Sequence, residues 1–335
     1  MLIEIISLIL SLVIILLSCE LFTNGIEWFG KRLKLGDGVV GSIFSAVGTC
    51  LPETMIPIIA ILFSNRAQNS VDIGIGAIIG APFMLSTLAF FVTGISVLIF
   101  WKRRKTGLTM KINSKILSRD IGFFIVVYTI GIGASFISIG FIKQIVALFL
   151  ILCYIYYIIL TVKNDRESHA ELDTLYFTRF LKMRTNLFII LAQITVALLG
   201  IVFGAELFVE NITASSHAWG ISALALSLIV TPIATELPEK FNSVIWISKK
   251  KDTLALGNIT GAMVFQSCIP VSIGIMATSW VLDTKAIMSA VLAILSALVT
   301  YIWIKVRGKL NPIPLIIGIG FYLAFIIFLV STGFK

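Results

Sequence analysis

Two glutamates of this chain lie in the same short motif, 186 residues apart. The first motif reads Gly48-Thr49-Cys50-Leu51-Pro52-Glu53, and the second reads Ala234-Thr235-Glu236-Leu237-Pro238-Glu239. Proline lacks a backbone donor and therefore frees carbonyl oxygens in the preceding turn. Carbonyl, hydroxyl and carboxylate oxygens are the ligands of hard cations such as Na⁺ and Ca²⁺. The motifs therefore predict one cation site that combines Glu53, Glu239, Glu236, Thr49 and Thr235.

The two motifs belong to a longer internal duplication. Glu20 and Glu206 are separated by the same 186 residues, and each lies 33 residues before the motif glutamate of its half. Further along, Gly76-Ala77-Ile78-Ile79-Gly80-Ala81 is matched by Gly257-Asn258-Ile259-Thr260-Gly261-Ala262. Duplicated halves with a carboxylate at a break in an apolar helix are typical of secondary transporters.

The helices that position these residues are expected to cross a membrane. Of the 335 residues, 58% are hydrophobic and 13% are charged, a balance that excludes a soluble domain. The pattern predicts an all-α polytopic membrane protein whose third and eighth helices are long enough to be bent or broken. Its ten transmembrane helices are expected at residues 2–23, 38–63, 72–100, 120–140, 142–162, 186–209, 221–247, 253–280, 284–304 and 312–333.

Lysine and arginine residues set the expected orientation. Alternate loops hold 21 of the 26, which predicts that these loops are cytoplasmic and that both termini are extracellular in the plasma membrane. Five helices in each half invert the second half relative to the first. We therefore expect two inverted repeats, residues 1–162 and 186–335, joined by a cytoplasmic linker at 163–185. Topology and anionic lipid account for the net charge of +9, so no nucleic-acid partner is expected.

The motifs and the five-plus-five layout resemble the sodium/calcium exchanger family of the cation/calcium antiporters, in a divergent prokaryotic-type form. The resemblance covers essentially all ten predicted helices. It implies that Glu53 and Glu239 bind Ca²⁺ and Na⁺ in alternation, and it places a further ligand position on Gln266. The implied function is exchange of Ca²⁺ against Na⁺ by alternating access at a carboxylate site near the middle of the membrane.

Several positions depart from the family pattern. Where the family has serine in its motifs, this chain has Cys50 and Glu236, and Ala81 and Ala262 replace two further serines. A second family ligand position falls on Leu85. These losses of oxygen predict weaker Na⁺ binding, whereas Glu236 and Lys240 add titratable groups. Lys240 lies four residues after Glu236, so the two side chains can pair on a helix. Transport is therefore expected to depend on pH more steeply than on Na⁺, with Cys50, Lys240 and Asn258 as possible modulators.

Alternative functions remain open at this point. The same fold suits an antiporter for Ca²⁺ coupled to H⁺ or one for another divalent cation, and a cation channel is the less favoured alternative. No Ser/His pair or HExxH motif indicates an enzyme, and the isolated Cys19, Cys50, Cys153 and Cys268 indicate neither zinc nor a disulfide framework. We expect no cofactor and no obligate protein partner, only inorganic cations and membrane lipid.

Overall fold

The computed structural model describes residues 2–32, 50–63, 68–104, 106–164, 174–182, 184–220, 224–229, 236–248 and 250–332. Within these ranges the chain forms helices without any β-strand, and one isolated β-bridge joins Met110 to Leu310. Eight of the described helices are long and apolar enough to cross a membrane, and a shorter apolar helix covers Glu53–Leu62. The predicted spans 38–63 and 221–247 lie partly outside the described residues.

The helices are numbered here in chain order. α3 consists of Gln68–Met84, the π-helical segment Leu85–Ala89 and Phe90–Phe100. The others are α1 (Leu2–Arg32), α2 (Leu51–Leu62), α4 (Ser114–Gly133), α5 (Gly140–Asn164), α6 (Tyr176–Leu181), α7 (Leu187–Trp219), α8 (Leu237–Ser248), α9 (Asp252–Ala277), α10 (Thr284–Arg307) and α11 (Pro312–Thr332).

Polar residues at the helix ends decide where the membrane helices begin and stop. The side chains of Asn113, Asn186 and Asp283 accept hydrogen bonds from first-turn N–H groups of α4, α7 and α10. The first expected span, 2–23, is corrected because α1 continues to Arg32. Two others are corrected at their polar or glycine ends. α4 begins at Ser114 and ends at Gly133 rather than covering 120–140, and α7 continues past 209 to Trp219, where Gly220 with φ of 66° ends it.

Of the two helices expected to be bent or broken, the structure distorts one. α3 contains the π-helical segment Leu85–Ala89, and the Ser296 hydroxyl donates to the Ser86 carbonyl within it at 2.5 Å. A π-helical turn of this kind is often found near a functional site. α9, the eighth predicted helix, is a continuous α-helix from Asp252 to Ala277 even though Pro270 lies inside it.

α9 lies at the centre of the larger hydrophobic core. It packs against α2, α3, α4, α5 and α8. A second core forms where α1 lies along α7, with Leu8, Leu12 and Ile15 facing Ile201 and Phe208. The helices of the two duplicated halves therefore pack on one another rather than forming separate bodies.

One end of the helix bundle is strongly basic and is called the basic end below. Its exposed cations, in the described loops and the adjoining helix turns, are Lys102, Arg103, Lys111, Lys115, Lys250, Lys251, Lys305, Arg307 and Lys309. Beneath them, the Arg104 guanidinium forms a buried two-pronged ion pair with Asp252, including Nη1 to Oδ1 at 2.8 Å. The Lys111 N–H donates to the same carboxylate at 2.7 Å, so the loop before α4 is fixed to the start of α9.

A close crossing between the halves explains the glycine at position 76. The helical segment 224–229, which precedes the second motif, crosses α3 there, and the Ser227 hydroxyl donates to the Ile73 carbonyl at 2.8 Å. A Cβ added at Gly76 would lie 2.9 Å from the Leu224 carbonyl oxygen. Because that neighbour is backbone, it cannot yield by a side-chain rotation.

We expect Gly76→Ala to destabilise the protein by about 1–3 kcal/mol, since it overpacks this crossing. The measurement is thermal unfolding of the detergent-solubilised protein. Gly320→Ala in α11 is the control, because an added Cβ there meets no described atom within 4 Å. Alanine also favours helix at that position. Equal stability of the two variants would contradict the crossing.

Candidate functional site

The first motif glutamate lies in the first turn of α2. Residue 50 forms a turn, the helix begins at Leu51, and Pro52 occupies an early position that requires no backbone donor. The Cys50 carbonyl accepts hydrogen bonds from Thr54 N at 3.2 Å and from Thr54 Oγ1 at 2.7 Å, so it is already engaged within the protein. Glu53 follows at a buried position, 2% exposed, where the helix dipole favours a negative charge.

The second motif has the same arrangement at the start of α8. Glu236 is the turn residue before the helix and is fully buried. Its Oε2 lies 3.4 Å from the Lys240 Nζ, one helical turn later, and its carbonyl accepts from Lys240 N at 3.2 Å. Glu239 lies in the first turn of α8, and its side chain lies outside what the structure describes. The predicted pair of Glu236 and Lys240 is thus present.

The amide predicted as a ligand lies in the middle of α9. Gln266 is 1% exposed, and neither its Oε1 nor its Nε2 has a hydrogen-bond partner among the described residues. A buried amide without partners costs free energy and usually indicates an unseen ligand or water. Asn258, earlier on the same helix, is half-buried and its Nδ2 likewise has no partner in the described part of the chain.

The positions where the family pattern places further oxygens are apolar and buried here. Ala81, Leu85 and Ala262 are at most 2% exposed, and Leu85 is the first residue of the π-helical segment of α3. No side chain at these three positions can ligate a cation. Cys50 is buried as well, at 1% exposure, and offers a thiol in place of a hydroxyl.

α9 contacts both helices that begin at the motifs, α2 and α8. Both α2 and α8 pack against it, so each motif helix is a neighbour of the helix that carries Gln266. Among the described residues, no group of three or more His, Cys, Asp or Glu side chains is close enough to hold a metal ion. Thr49, Thr235 and the Glu239 side chain are outside that set, so the predicted cation site as a whole stays a prediction.

Two buried carboxylates were missed by the sequence reasoning. Asp252 holds Arg104 at the basic end, and Asp120 in α4 is 3% exposed and bonded to Arg119 and Thr260. Neither belongs to the duplicated motifs, and Asp120 marked only the edge of a predicted span. The signal that could have identified Asp120 is an acidic residue next to an arginine inside an apolar segment.

Comparisons with known proteins place the chain among ion exchangers. The profile of the family described as "Sodium/calcium exchanger protein" matches residues 3–163 and 189–332. The chain is 25% identical to the "Putative antiporter CaxA" of Alkalimonas amylolytica, over 97% of both proteins. It is also 22% identical to the "Inner membrane protein YrbG" of Escherichia coli, over 83% of this chain and 81% of that protein.

Solved exchanger structures share the fold. A crystal structure of the H⁺/Ca²⁺ exchanger CAX superposes with a TM-score of 0.73 at 16% identity, over 98% of this chain and 82% of that chain. The sodium-calcium exchanger NCX_Mj, soaked with Na⁺ and Sr²⁺, superposes with a TM-score of 0.59 at 19% identity, over 99% of both chains. At these identities the likeness establishes the fold alone.

Proposed function

Because this chain belongs to the sodium/calcium exchanger protein family, we propose that it is a secondary antiporter that exchanges Ca²⁺ against Na⁺ by alternating access. The observation that carries the proposal is the buried Glu53 at the start of α2. This helix packs against α9, which carries Gln266, and the Gln266 amide has no hydrogen-bond partner among the described residues. A buried carboxylate and a buried amide oxygen are suited to a hard cation.

The proposed cation site draws on both motifs. Glu53 and Glu239 supply the charge that offsets a divalent ion, and Thr49, Thr235, Glu236 and Gln266 supply further oxygens. Lys240, bound to Glu236 at 3.4 Å, balances the additional carboxylate. Cys50 and Asn258 border the site and modulate it. The transported ions are the substrates, and no cofactor, enzymatic step or obligate protein partner is part of the proposal.

A second candidate, exchange of Ca²⁺ against H⁺, is favoured by a specific observation. Ala81, Leu85 and Ala262 are buried apolar residues at positions where the family pattern has oxygens. Na⁺ relies on neutral oxygens more than Ca²⁺ does, because Ca²⁺ gains most from carboxylate charge. Loss of these oxygens therefore lowers the affinity for Na⁺, which disfavours sodium-coupled exchange more than proton-coupled exchange.

The proposed architecture follows the family. We propose ten transmembrane helices in two inverted repeats, residues 1–162 and 186–335, with the linker 163–185 between them. Two blocks of the family match, at 3–163 and 189–332, support this division. The exposed cations of the basic end support a cytoplasmic location for that end, and hence extracellular termini in the plasma membrane.

The experiment that tests the function measures Ca²⁺ uptake into proteoliposomes of the purified protein under separately imposed gradients. An outward Na⁺ gradient at fixed pH is expected to drive Ca²⁺ uptake if Na⁺ is the coupling ion. A pH gradient with an acidic interior and no Na⁺ is expected to drive Ca²⁺ uptake if H⁺ is the coupling ion. Liposomes without protein are the control. Uptake that needs no internal cation would contradict antiport and indicate a channel.

A further inference from the structure

A buried carboxylate outside the repeated motifs lies between α4, α5 and α9. Asp120 is 3% exposed and lies six residues after α4 begins at Ser114. At 1.5 Å per residue it is about 9 Å inward from the basic end. A charged side chain at such depth in a membrane protein is costly and commonly functional.

The two oxygens of this carboxylate differ in their partners. Oδ1 accepts hydrogen bonds from Arg119 Nε at 2.9 Å and from Arg119 Nη2 at 2.8 Å. Oδ2 accepts a longer bond, 3.3 Å, from the hydroxyl of the fully buried Thr260 in α9. Tyr157 of α5 also lies near the carboxylate, with its ring beneath the Arg119 guanidinium. Oδ2 is therefore the oxygen that can take a proton while Oδ1 keeps its partner.

The Arg119 guanidinium keeps other favourable contacts when Asp120 becomes neutral. Its Nη2 also donates to the Thr161 hydroxyl at 3.2 Å, and its guanidinium lies over the Tyr157 ring at 5.3 Å. Its side chain is 22% exposed, so solvent or lipid headgroups can reach it. The usual penalty for breaking a buried ion pair, an isolated buried charge, is therefore reduced here.

Thr260 connects the carboxylate to the helix that carries the proposed ligands. Its hydroxyl has two acceptors in reach, Asp120 Oδ2 at 3.3 Å and the Gly257 carbonyl at 3.5 Å. When Oδ2 carries a proton, that O–H donates to the Thr260 oxygen, and the Thr260 hydrogen turns to Gly257. Gln266 lies six residues further along α9, about 9 Å from Thr260.

The groups that face Asp120 come from three helices. α4 contributes the Arg119 cation, α5 contributes the Tyr157 phenol, and α9 contributes the uncharged Thr260 hydroxyl. α10 also packs on α4, but it places Tyr301 against Gly122. The motif glutamates Glu53 and Glu236 are not among these neighbours.

We propose that Asp120 Oδ2 is a proton-binding site whose occupancy is coupled to cation binding through Thr260 and α9. The proton comes from water at the basic end and returns to water, and no other bond changes. Protonation removes a negative charge beside α9 and turns the Thr260 hydroxyl from Oδ2 to the Gly257 carbonyl, so it weakens Ca²⁺ binding, and by linkage Ca²⁺ binding releases the proton. The inference rests on the proposed cation exchange, because it concerns regulation of that same site.

The test measures the Kd of Ca²⁺ for the purified protein at acidic and alkaline pH. We expect Asp120→Asn, which mimics the protonated form, to raise the Kd about tenfold at alkaline pH and to match the wild type at acidic pH. Thr260→Val keeps the carboxylate but removes the hydroxyl that bonds Oδ2, so it should reduce the pH dependence. Glu210→Gln, an exposed carboxylate of α7, is the matched control and should behave as the wild type.

Infrared difference spectroscopy supplies a second readout. The acid-induced carboxyl C=O band of the wild type and of Glu210→Gln includes the motif glutamates, and the component due to Asp120 should be missing in Asp120→Asn. If Asp120→Asn raises the Kd equally at both pH values, or leaves the infrared band unchanged, the proposal is overturned. If Asp120→Asn does not fold, an undiminished pH dependence in Thr260→Val would overturn it. Failure of the wild type to bind Ca²⁺ would instead contradict the proposed function.

Discussion

Replacing Glu53 with glutamine is expected to lower Ca²⁺ transport about a hundredfold. The carboxylate is buried at the first turn of α2, where no water can replace its charge. Removing one charged partner of a buried ionic contact costs about 3 kcal/mol or more. That loss corresponds to about two decades in cation affinity. Glutamine keeps the size and one carbonyl oxygen of the side chain, so the loss reports the charge.

The measurement is the initial rate of Ca²⁺ uptake into proteoliposomes under the gradient that drives the wild type. Glu239→Gln should lose activity to the same extent if both motifs share one ion. Glu206→Gln is the matched control, since Glu206 is duplicated with Glu20 but is exposed on α7, and it should retain most of the rate. Wild-type transport by Glu53→Gln would show that the ion binds elsewhere.

Replacing Asp252 with alanine is expected to destabilise the protein by about 3–5 kcal/mol. Asp252 is 1% exposed and Arg104 is 7% exposed, so the substitution leaves a buried guanidinium without its counter-charge. It also removes the acceptor of the Lys111 N–H. Thermal unfolding in detergent should show a Tm lowered by roughly 5–10 °C.

Two further variants identify the cause of that loss. Asp283→Ala removes another aspartate at a helix start, one that is exposed and accepts from Ala286 N, and it should cost only about 1 kcal/mol. Arg104→Met combined with Asp252→Leu replaces the ion pair with apolar side chains and should recover much of the stability. A double variant as unstable as Asp252→Ala would indicate that the Lys111 bond, rather than the buried charge, matters.

The membrane helices could be predicted from the sequence because the bilayer sets their length and polarity. Runs of apolar residues located α5, α10 and α11 within a few residues of their observed ends. The family resemblance was also accessible, because the Leu-Pro-Glu motifs are local and duplicated. The profile match over 3–163 and 189–332 confirms that resemblance.

Helix ends and distortions depended on contacts that apolar runs do not contain. Asn113 caps α4, which begins six residues before its predicted start, and α2 begins at Leu51, two residues before Glu53. The π-helical turn at Leu85–Ala89 lies where Ser296 of α10 donates to a carbonyl. Ser296 lies on a distant helix, outside any sequence window, and the Asn113 cap depends on turn geometry that a count of apolar residues does not reveal.

The tertiary structure alone decided which buried charged and polar side chains meet across the bundle. Arg104 and Asp252 are 148 residues apart, and Asp120 and Thr260 are 140 apart, so no local pattern links them. By contrast, the pair of Lys240 and Glu236 was predicted, because four residues along a helix fix the distance. The sequence thus determines the charges that share a helical turn. Packing around α9 determines those that meet across the bundle, since only the folded chain brings them out of water and into contact.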